Sequence, residues 1–453
     1  MFREIICYER TGSIGGLWKY RGNSNCDETD GEAGEAESVT VMRGTVANSS
    51  KEMSAFSDFP PPPLTPNFMH HTLMYQYLES YAHHFHCLQH IRFHCDVVDV
   101  SRSGVGWRVR VSCKSGSNAG DPQLQRNEYF DAVIVCTGHH GRPVVPSFPG
   151  EKSFKGKKSD VSRLACHESR QRLRVSRNLH VSRVFPPANV TGRILHTHRY
   201  KTASEFADHK VLVVGSGNSG LDAAVELADV ADKVYLSTRS GCWILPRLGF
   251  RGGRPYDTSF LTRSMHALKE SFPTEGVSFV IETMLNRRFD HELFGLRPSH
   301  PLFHEHPTIN DLVASKILCG AVQVKGDVER LVAEGVLFTG DSAPCSVDSI
   351  ILATGYHIDF PFLSKELSDC IFSGREGRLR LFKYVFPILE EGDKEGAVET
   401  LSFVGVPNAV GPLFPVAEMQ ARWVVQVLAK KARLPSPAAM AAALEEQDVE
   451  RRK

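Results

Sequence analysis

The sequence predicts an α/β protein, and two patterns carry that prediction. An apolar run at 210–214 suits a strand buried on both faces, and it is followed by a glycine-rich turn, a helical pattern at 221–230 and a second strand pattern at 233–238. Strand, turn, helix and strand in this order form a βαβ unit. The second pattern is a repeat: 131–138 and 348–355 share an aspartate, a mainly apolar run, a small residue and Thr-Gly.

Composition narrows the class of protein. The chain has 453 residues, enough for about two to four domains. Its 53 basic and 52 acidic side chains leave a net charge of +1, which gives no electrostatic case for nucleic-acid binding. No apolar run reaches the ~18 residues of a membrane-spanning helix. Eleven cysteines without a Cys-x-x-Cys pair predict reduced thiols in a cytosol-facing protein rather than a disulfide scaffold.

The glycine turn after the apolar run has the Gly-x-Gly-x-x-Gly spacing. Gly215 permits a tight turn, Gly217 lets a pyrophosphate approach the backbone, and Gly220 allows the helix to pack closely on the strand. The amino end of the helix then offers free N–H groups to phosphates. Arg239 ends the second strand, where it could pair with the 2′-phosphate of NADP, whereas NAD sites carry an acid there. The alternative is an ordinary glycine turn followed by a surface arginine.

A second dinucleotide site is suggested near the start of the chain. A strand pattern at 4–9 ends in Glu9, an acid placed to accept a ribose hydroxyl of an adenine dinucleotide. The following Gly15, Gly16, Leu17 and Trp18 would let the backbone pass close to a bulky ligand. A glutamate that merely ends a strand is the alternative.

Other segments have patterns that predict local structure but do not indicate a function. Residues 157–192 carry eight bases against two acids, repeat Val-Ser-Arg and lack an apolar period, which predicts a disordered insert or, in the minority view, a basic patch. The sequence also predicts a helix at 75–88 and a strand at 106–111, and helices that begin near Pro415 and Ser436.

Two kinds of catalytic site are disfavoured. The histidines at 83, 84, 86, 90 and 94 are clustered, but 91–95 has a strand pattern and no acid stands at ligand spacing, so we predict no metal. No Gly-x-Ser-x-Gly elbow of a hydrolase is present.

Taken together, these motifs resemble those of the flavin-containing monooxygenases of the vertebrate dimethylaniline monooxygenase type. The resemblance extends over most of the chain but covers neither 22–37 nor 157–192. The matching segments are ERTGSIGGLW at 9–18, NSSKE at 48–52, FSDFP at 56–60, PNFMH at 66–70, VCTGHH at 135–140, GSGNSG at 215–220, SGCWIL at 240–245, RFDHE at 288–292 and ATGY at 353–356.

The resemblance implies a fold with two Rossmann-like dinucleotide-binding domains, one for FAD and one for NADP. The FAD-binding domain would comprise 1–156 plus 346–432, and it would lack its first strand. The NADP-binding domain would comprise 193–345, with a helical insertion at about 245–300. The basic insert 157–192 and a C-terminal helical tail at 433–453 complete the expected organisation.

The resemblance also assigns roles to individual residues. Glu9, Leu17 and Trp18 would hold the FAD ribose and adjoining parts. Asn48, the one residue expected to act catalytically, would lie with Ser49 beside the isoalloxazine, and Ala47 and Asn48 would face the nicotinamide. The residues expected at the NADP site are Gly215, Gly217, Asn218, Ser219, Gly220, Leu221, Asp222 and Arg239. Thr354 and Gly355 are expected at a close crossing over a cofactor.

The implied reaction uses NADPH to reduce FAD, after which O₂ adds to give a C4a-hydroperoxyflavin. That species transfers oxygen to soft nitrogen or sulfur nucleophiles of small molecules, xenobiotics among them, or inserts it next to a ketone. The flavin carries the hard chemistry, so the protein must position cofactors and exclude water. An amide such as Asn48 can donate a hydrogen bond without supplying an acid. The resemblance places such proteins at the cytosolic face of the endoplasmic reticulum membrane, in association with its surface.

Three departures from the family pattern keep an alternative open. Only eight residues precede Glu9, so we expect the usual first strand and its glycine turn to be missing and NADP to bind more firmly than FAD. The signature Phe-x-Gly-x-x-x-His-x-x-x-Tyr is split between 154–156 and 196–200. We also expect the family's hydrophobic tail to be missing. The alternative function is therefore a catalytically silent form that retains NADP binding only. A disulfide or quinone reductase is disfavoured because no redox cysteine pair exists.

Overall fold

The computed structural model contains ten α-helices and 24 strands in the part of the chain that it describes. The structure describes residues 2–22, 41–114, 123–154, 157–158, 193–249, 253–302, 304–373, 378–388, 398–407 and 411–452. The helices are α1 (Lys51–Ser54), α2 (His71–His84), α3 (Asn218–Leu227), α4 (Tyr256–Phe260), α5 (Arg263–Glu270), α6 (Thr274–Arg288), α7 (Val313–Leu318), α8 (Lys365–Ile371), α9 (Leu413–Leu428) and α10 (Pro437–Arg452). The strands are β1 (Cys7–Tyr8), β2 (Ile91–Arg92), β3 (Cys95–Ser103), β4 (Gly106–Lys114), β5 (Gln123–Phe130), β6 (Val133–Val135), β7 (Arg142–Pro143), β8 (Lys157–Lys158), β9 (Arg193–His196), β10 (Lys210–Val214), β11 (Lys233–Ser237), β12 (Ile244–Leu245), β13 (Thr308–Ile309), β14 (Val322–Lys325), β15 (Val328–Val332), β16 (Gly335–Phe338), β17 (Cys345–Ser346), β18 (Ser349–Leu352), β19 (Tyr356–His357), β20 (Phe372–Ser373), β21 (Arg378–Leu379), β22 (Leu381–Phe382), β23 (Phe386–Pro387) and β24 (Leu401–Phe403).

Backbone contacts divide the chain into two units. Unit 1 contains Met1–Val41, Val46–Gly141 and Ile358–Lys453, and unit 2 contains Met42–Thr45 and Arg142–His357. Each unit is therefore built from segments that are distant in sequence. The domain ranges expected from the sequence stay a prediction, as does the cofactor of each.

Unit 2 is centred on a six-stranded parallel sheet in the order β14-β11-β10-β18-β9-β8. The predicted strand 210–214 is β10 in the middle of this sheet, and Val211, Leu212 and Val213 are fully buried. A continuous apolar run is what a strand covered on both faces requires. The predicted second strand is β11, and helix α3 begins three residues earlier than its apolar pattern indicated.

Smaller elements surround this sheet in unit 2. Strands β15, β16 and β17 form an antiparallel meander, and β12 pairs in parallel with β13. The region expected to be a helical insertion contains α4, α5 and α6. The basic insert predicted at 157–192 lies outside the described residues except for β8, which pairs in parallel with β9.

Unit 1 is built on the antiparallel sheet β3-β4-β5 and two short parallel pairs, β1 with β2 and β6 with β24. Strand β4 confirms the alternating pattern, because Trp107, Val109 and Val111 are buried while their neighbours are more exposed. The indole Nε1 of Trp107 donates to Thr400 Oγ1 at 3.0 Å, so this large side chain is buried with its polar atom satisfied.

The prediction of reduced thiols was wrong for one pair of cysteines. Cys95 and Cys113 form a disulfide between β3 and β4. The two residues are direct partners in the antiparallel ladder, with Cα atoms 4.1 Å apart. Their separation of 18 residues in the chain did not reveal this, because only the strand register brings the sulfurs together.

Several element boundaries also differ from the sequence pattern. The strand expected at 4–9 is reduced to β1, and the helix expected at 75–88 is α2, which begins at His71. The His70 side chain accepts a hydrogen bond from the Thr72 N–H and so starts that helix earlier. Helix α9 begins at Leu413, two residues before Pro415. No helix in the described part of the chain is long and apolar enough to span a bilayer.

Candidate functional site

The glycine turn between β10 and α3 is packed against backbone rather than side chains. Gly215 has φ +109°, and a Cβ atom there would lie 2.5 Å from the carbonyl oxygen of Ala353. A Cβ on Gly220 would lie 2.0 Å from the carbonyl oxygen of Gly215. Real Cβ atoms do not approach an oxygen so closely, so both positions require glycine. The first and last glycines of the motif therefore serve the roles that their spacing predicted.

The middle glycine faces open space. Gly217 has φ −73°, and a Cβ there would meet no atom within 4 Å. Gly217, Asn218 and Ser219 are exposed, and no side chain caps the amino end of α3. The first N–H groups of a ten-residue helix are thus open to a ligand, with the positive end of the helix dipole behind them. These residues fit a pyrophosphate.

The segment around β13 supports this turn, which the sequence did not indicate. The Thr308 hydroxyl donates to the Ser216 carbonyl at 2.9 Å, and the Ile309 N–H donates to Asn218 Oδ1 at 2.9 Å. Thr308 lies about 90 residues further along the chain and belongs to a two-residue strand. Such contacts carry no local signal, because they depend on the tertiary path of the chain.

Asp222 is held by this same segment. Its Oδ1 accepts a hydrogen bond from Asn310 Nδ2 at 3.1 Å. Burial raises the pKa of Asp222 to about 6, and the nearby charge of Arg247 and the Asn310 bond oppose that rise. In this structure the carboxylate therefore serves packing against Asn310. Leu221 beside it is fully buried. The expected NADP contacts of these two residues stay predictions.

Arg239 follows β11 and is exposed. Its guanidinium makes no ion pair with the described residues. By contrast, Arg247 in the same unit binds Asp311 at 3.3 Å. An exposed arginine after the second strand of a βαβ unit can receive a phosphate without first breaking another bond.

Hydrogen bonds within unit 2 fix the backbone at Thr354 and Gly355. Thr354 Oγ1 donates to the Val144 carbonyl, and the Gly355 carbonyl accepts from Val144 N at 2.9 Å and lies 3.1 Å from His196 Nε2. Gly355 has φ +81°. Burial of His196 lowers its pKa to about 4, so its ring is neutral near pH 7. These bonds fix the backbone at this point, and the close crossing over a cofactor stays a prediction.

In unit 1, Glu9 stands directly after β1, and its carboxylate is engaged locally. Its Oε1 accepts from the N–H and the hydroxyl of Thr11, both at 2.8 Å. Arg21 Nη2 donates to the Thr11 hydroxyl at 3.2 Å, and its Nη1 donates to the Gly16 carbonyl at 3.3 Å. Arg21 therefore links the acid at the end of β1 to the glycine turn. No sequence pattern had indicated this arginine.

The glycine turn of unit 1 brings two predicted site residues together. Gly15 has φ +97°, and a Cβ there would lie 2.6 Å from the ring of Tyr75. The turn leads into a 3₁₀ helix, Gly16–Trp18, and Trp18 packs on an apolar cluster that contains Ala47. Leu17 is half-buried, and its carbonyl accepts from Val41 N at 3.1 Å.

The half-buried Asn48 and Ser49 are held by a loop that follows them. Ala47 N donates to the Met69 carbonyl at 2.8 Å, and Ser49 Oγ lies 2.7 Å from Ser54 Oγ. The cation of Lys51, only 9% exposed, donates to the carbonyls of Pro63 and Thr65 at 2.5 and 2.6 Å. This arrangement fixes the backbone on both sides of Asn48.

The clustered histidines do not form one helix face. Helix α2 ends at His84, and His86 and His94 have left-handed backbones with φ +54° and +55°. Within the described ranges, no group of three or more His, Cys, Asp and Glu side chains could hold a metal ion.

The glycine turn of unit 2 predicts opposite outcomes for two substitutions. Gly217→Ala adds a methyl group in open space, so we expect it to change the free energy of unfolding by less than about 1 kcal/mol while weakening NADP⁺ binding. Gly220→Ala drives a methyl group into the Gly215 carbonyl and should reduce that free energy by about 2–3 kcal/mol. Urea unfolding and NADP⁺ titration measure both effects. Equal stability of the two variants would contradict the packing described.

The half-buried carboxylate of Asp222 predicts a pH dependence. Its pKa rises from 3.8 in the unfolded chain to about 6, so the folded state holds more protons between these values. The free energy of unfolding should therefore fall as the pH rises through this window, by up to about 3 kcal/mol. Asp222→Asn should remove that fall, so its stability gain appears above pH ~6 and vanishes below pH ~4. Urea unfolding at several pH values tests this, with the exposed Asp232→Asn as control. A gain independent of pH would refute the assignment.

Comparison with known proteins agrees with this geometry. A family model described as flavin-binding monooxygenase-like matches residues 3–171 and 176–453. Human flavin-containing monooxygenase 2 is 35% identical over 444 residues, which cover 96% of this chain and 71% of that protein. Mouse flavin-containing monooxygenase 5 is 34% identical over 447 residues, covering 97% and 71%.

Solved structures share the fold. S-allyl-L-cysteine S-oxygenase from Allium sativum has a TM-score of 0.61 at 22% identity, with 98% of this chain and 76% of that chain covered. The OTEMO complex with FAD and NADP has a TM-score of 0.61 at 14% identity, with 98% and 86% covered. The predicted α/β fold class is confirmed, and the predicted cofactor pair is the one that the OTEMO complex holds. The chain belongs to the flavin-binding monooxygenase-like family, as its motifs had indicated.

Proposed function

We propose that this chain is an NADPH- and FAD-dependent monooxygenase that oxygenates soft nitrogen or sulfur nucleophiles of small molecules. The observation that carries the proposal is the glycine turn of unit 2, with its open Gly217, the uncapped amino end of α3 and the exposed Arg239. A pyrophosphate at the helix end and a 2′-phosphate at the arginine are the two features by which NADPH would be recognised.

The flavin would bind to unit 1. Glu9 ends a strand and accepts two hydrogen bonds, which the ribose hydroxyls of FAD could replace. The turn at Gly15 and Gly16 would let the backbone approach the cofactor, with Leu17 and Trp18 beside it. In this proposal unit 1 is the FAD-binding domain and unit 2 is the NADP-binding domain. The ranges expected from the sequence, 1–156 plus 346–432 and 193–345, differ from these units at 142–156 and 346–357, which belong to unit 2.

The protein's own part in the reaction would be to position groups and keep out water. When bound, the flavin and nicotinamide supply hydride transfer and O₂ activation. Asn48 would donate a hydrogen bond from its amide to the reacting oxygen or the nicotinamide, with Ala47 and Ser49 shaping the same surface. An amide does this without offering a proton that would hasten a wasteful release of peroxide.

The substrate class follows from the chemistry of the relatives. One relative is named an N-oxide-forming dimethylaniline monooxygenase and one neighbour an S-oxygenase. Both acceptor atoms are soft nucleophiles with a lone pair, so O₂-derived oxygen can be transferred to them without a catalytic base. Cyclohexanone monooxygenase shares the fold, and oxygen insertion beside a ketone is therefore the second reaction to test.

The place of the protein in the cell stays a prediction. Residence at the cytosolic face of the endoplasmic reticulum membrane, with a role in xenobiotic oxidation, rests on the resemblance to vertebrate relatives. Fractionation of cells that express the chain would test it.

Arg239 should distinguish the two nicotinamide cofactors. In Arg239→Ala we expect the dissociation constant for NADPH to rise about 10- to 100-fold, because a charge-assisted bond to the 2′-phosphate is lost. The constant for NADH should change less than about twofold, since NADH lacks that phosphate. Fluorescence titration measures both, and the exposed Arg330→Ala in the same unit is the matched control. Equal losses for NADPH and NADH would show that Arg239 does not read the phosphate.

Turnover tests the function itself. The purified chain, supplied with FAD, should show the visible absorption of an oxidised flavin and consume NADPH faster when a tertiary amine or a thioether is added. One N-oxide or S-oxide should form for each NADPH in the coupled reaction. The silent alternative instead predicts NADP⁺ binding without flavin absorption or product.

A further inference from the structure

The disulfide of unit 1 joins two cysteines with unlike surroundings. Cys95 is 5% exposed and belongs to an apolar cluster that contains Trp107 and Val111. Cys113 is its direct partner in the ladder of β3 and β4, but it is half-buried and only packs against that cluster. Of the two residues, Cys113 is therefore the one that a reagent in solution reaches.

A guanidinium lies beside the sulfur of Cys113. Arg126, on the neighbouring strand β5, donates from Nη2 to Cys113 Sγ at 3.9 Å. Its Nε also pairs with Glu128 at 2.8 Å, and the same carboxylate accepts from Arg92 at 2.9 Å. One carboxylate is thus shared between two guanidinium groups, so these three side chains carry a net positive charge. Positive charge beside a cysteine favours its thiolate, which is the reactive form of the residue.

Backbone hydrogen bonds, and not the bridge alone, hold the two cysteines opposite each other. The ladder of β3 and β4 extends along the whole of both strands. Beside the bridge, Lys114 N donates to the His94 carbonyl at 3.1 Å. After reduction the two thiols would therefore stay within reach of each other, and the bridge would close again without a rearrangement of the sheet.

The location of the bridge points to peroxide as its oxidant. A disulfide in a cytosol-facing protein, which this chain is predicted to be, is usually transient or redox-sensing. The bridge lies next to a residue of the proposed flavin site, because Cys95 N donates to the Glu9 carbonyl at 3.0 Å. Hydrogen peroxide is the wasteful product of the reaction proposed for that site.

We propose that Cys113 and Cys95 form a site of reversible oxidation by hydrogen peroxide, in which Cys113 is oxidised first and Cys95 then closes the bridge. This inference goes beyond the proposed function and does not rest on it, because the two thiols need no flavin or NADP in order to react with added peroxide.

The reaction balances in two steps. The Cys113 thiolate attacks one oxygen of peroxide, the O–O bond breaks, hydroxide leaves, and the sulfur becomes a sulfenic acid. The Cys95 sulfur then attacks the Cys113 sulfur, the S–O bond breaks, and the hydroxyl group leaves as water with the proton of Cys95. In sum, two thiols are oxidised to a disulfide and peroxide is reduced to water. A reducing thiol reverses the change by attack on the more accessible sulfur, that of Cys113.

Thiol mapping of the full chain tests the proposal. The folded chain is reduced with dithiothreitol, freed of it and treated with hydrogen peroxide, and its thiols are followed by peptide mass spectrometry. We expect the bridge to close at least about tenfold faster than the exposed Cys319 is oxidised. The sulfur of Cys319 lies by the Lys316 carbonyl, at 3.5 Å, instead of beside a guanidinium.

Two variants of Arg126 test the role of its charge. Arg126→Gln should slow closure of the bridge about fivefold or more, while Glu128 keeps its bonds to Arg92. Arg126→Lys should restore most of the rate, because it returns the positive charge. Arg108→Gln is the matched control and should leave the rate unchanged. Arg108 is in the same sheet, has the same 43% side-chain exposure as Arg126, and pairs with a carboxylate at 3.5 Å.

A sulfenic-acid reagent tests the order of the two steps. In Cys95→Ala no partner thiol remains, so peroxide should leave a sulfenic acid on Cys113 that dimedone traps. In Cys113→Ala we expect no such adduct at Cys95, because the core covers that residue. The half-exposed Arg126 variants decide the proposal even where a variant of the buried Cys95 fails to fold.

Three results would overturn the proposal. A bridge that resists dithiothreitol in the folded chain would be a permanent structural link. Closure no faster than the oxidation of Cys319, or the same in wild type and Arg126→Gln, would show that the guanidinium does not activate Cys113. A dimedone adduct on Cys95 in place of Cys113 would reverse the assigned order. All three are measured without flavin or NADP, so this proposal and the proposed function fail separately.

Discussion

The structure of the candidate nucleotide site depends on the close approach of three backbone segments. Gly215, Gly220 and Ala353 meet so closely that a methyl group on either glycine would lie only 2.0–2.5 Å from a carbonyl oxygen. Ala353 follows β18, the neighbour of β10 in the sheet, so the contact joins the ends of two adjacent buried strands. It fixes the direction in which α3 leaves the sheet, and that direction leaves Gly217 and the first N–H groups of the helix open.

The same helix shows how this site balances unfavourable and favourable contacts. Partial burial disfavours the charged form of the Asp222 carboxylate, and for this reason its pKa is raised. The Asn310 bond, the Arg247 charge and the positive end of the helix dipole offset part of the penalty. In return, Asp222 and Asn310 join α3 to the segment that follows β13. The turn is therefore supported from two directions, by the sheet beneath it and by this distant segment.

The sequence predicted those features that are encoded locally. The apolar run of β10, the alternation in β4 and the glycine spacing each depend on neighbouring residues, and each is found in the structure. Local patterns could not predict the Cys95–Cys113 bridge or the contacts of Arg21 and Asn310. These contacts join residues that meet only after the chain has folded. Helix ends shifted by a few residues for a related reason, since the His70 cap lies outside the apolar pattern of α2.

The two candidate cofactor surfaces are held by different means, and this difference has a consequence for how they respond to substitution. The turn at Gly217 follows a strand of a buried sheet. The side chains that cover this sheet are tightly packed and tolerate little change in volume. Asn48 rests on a loop instead, in which the buried cation of Lys51 binds two main-chain carbonyls and no described carboxylate. A cation held by carbonyl dipoles loses both bonds when the loop shifts, and it has no partner charge to keep it in place. The placement of Asn48 is therefore the more easily disturbed of the two, and the reaction that we propose depends on that placement.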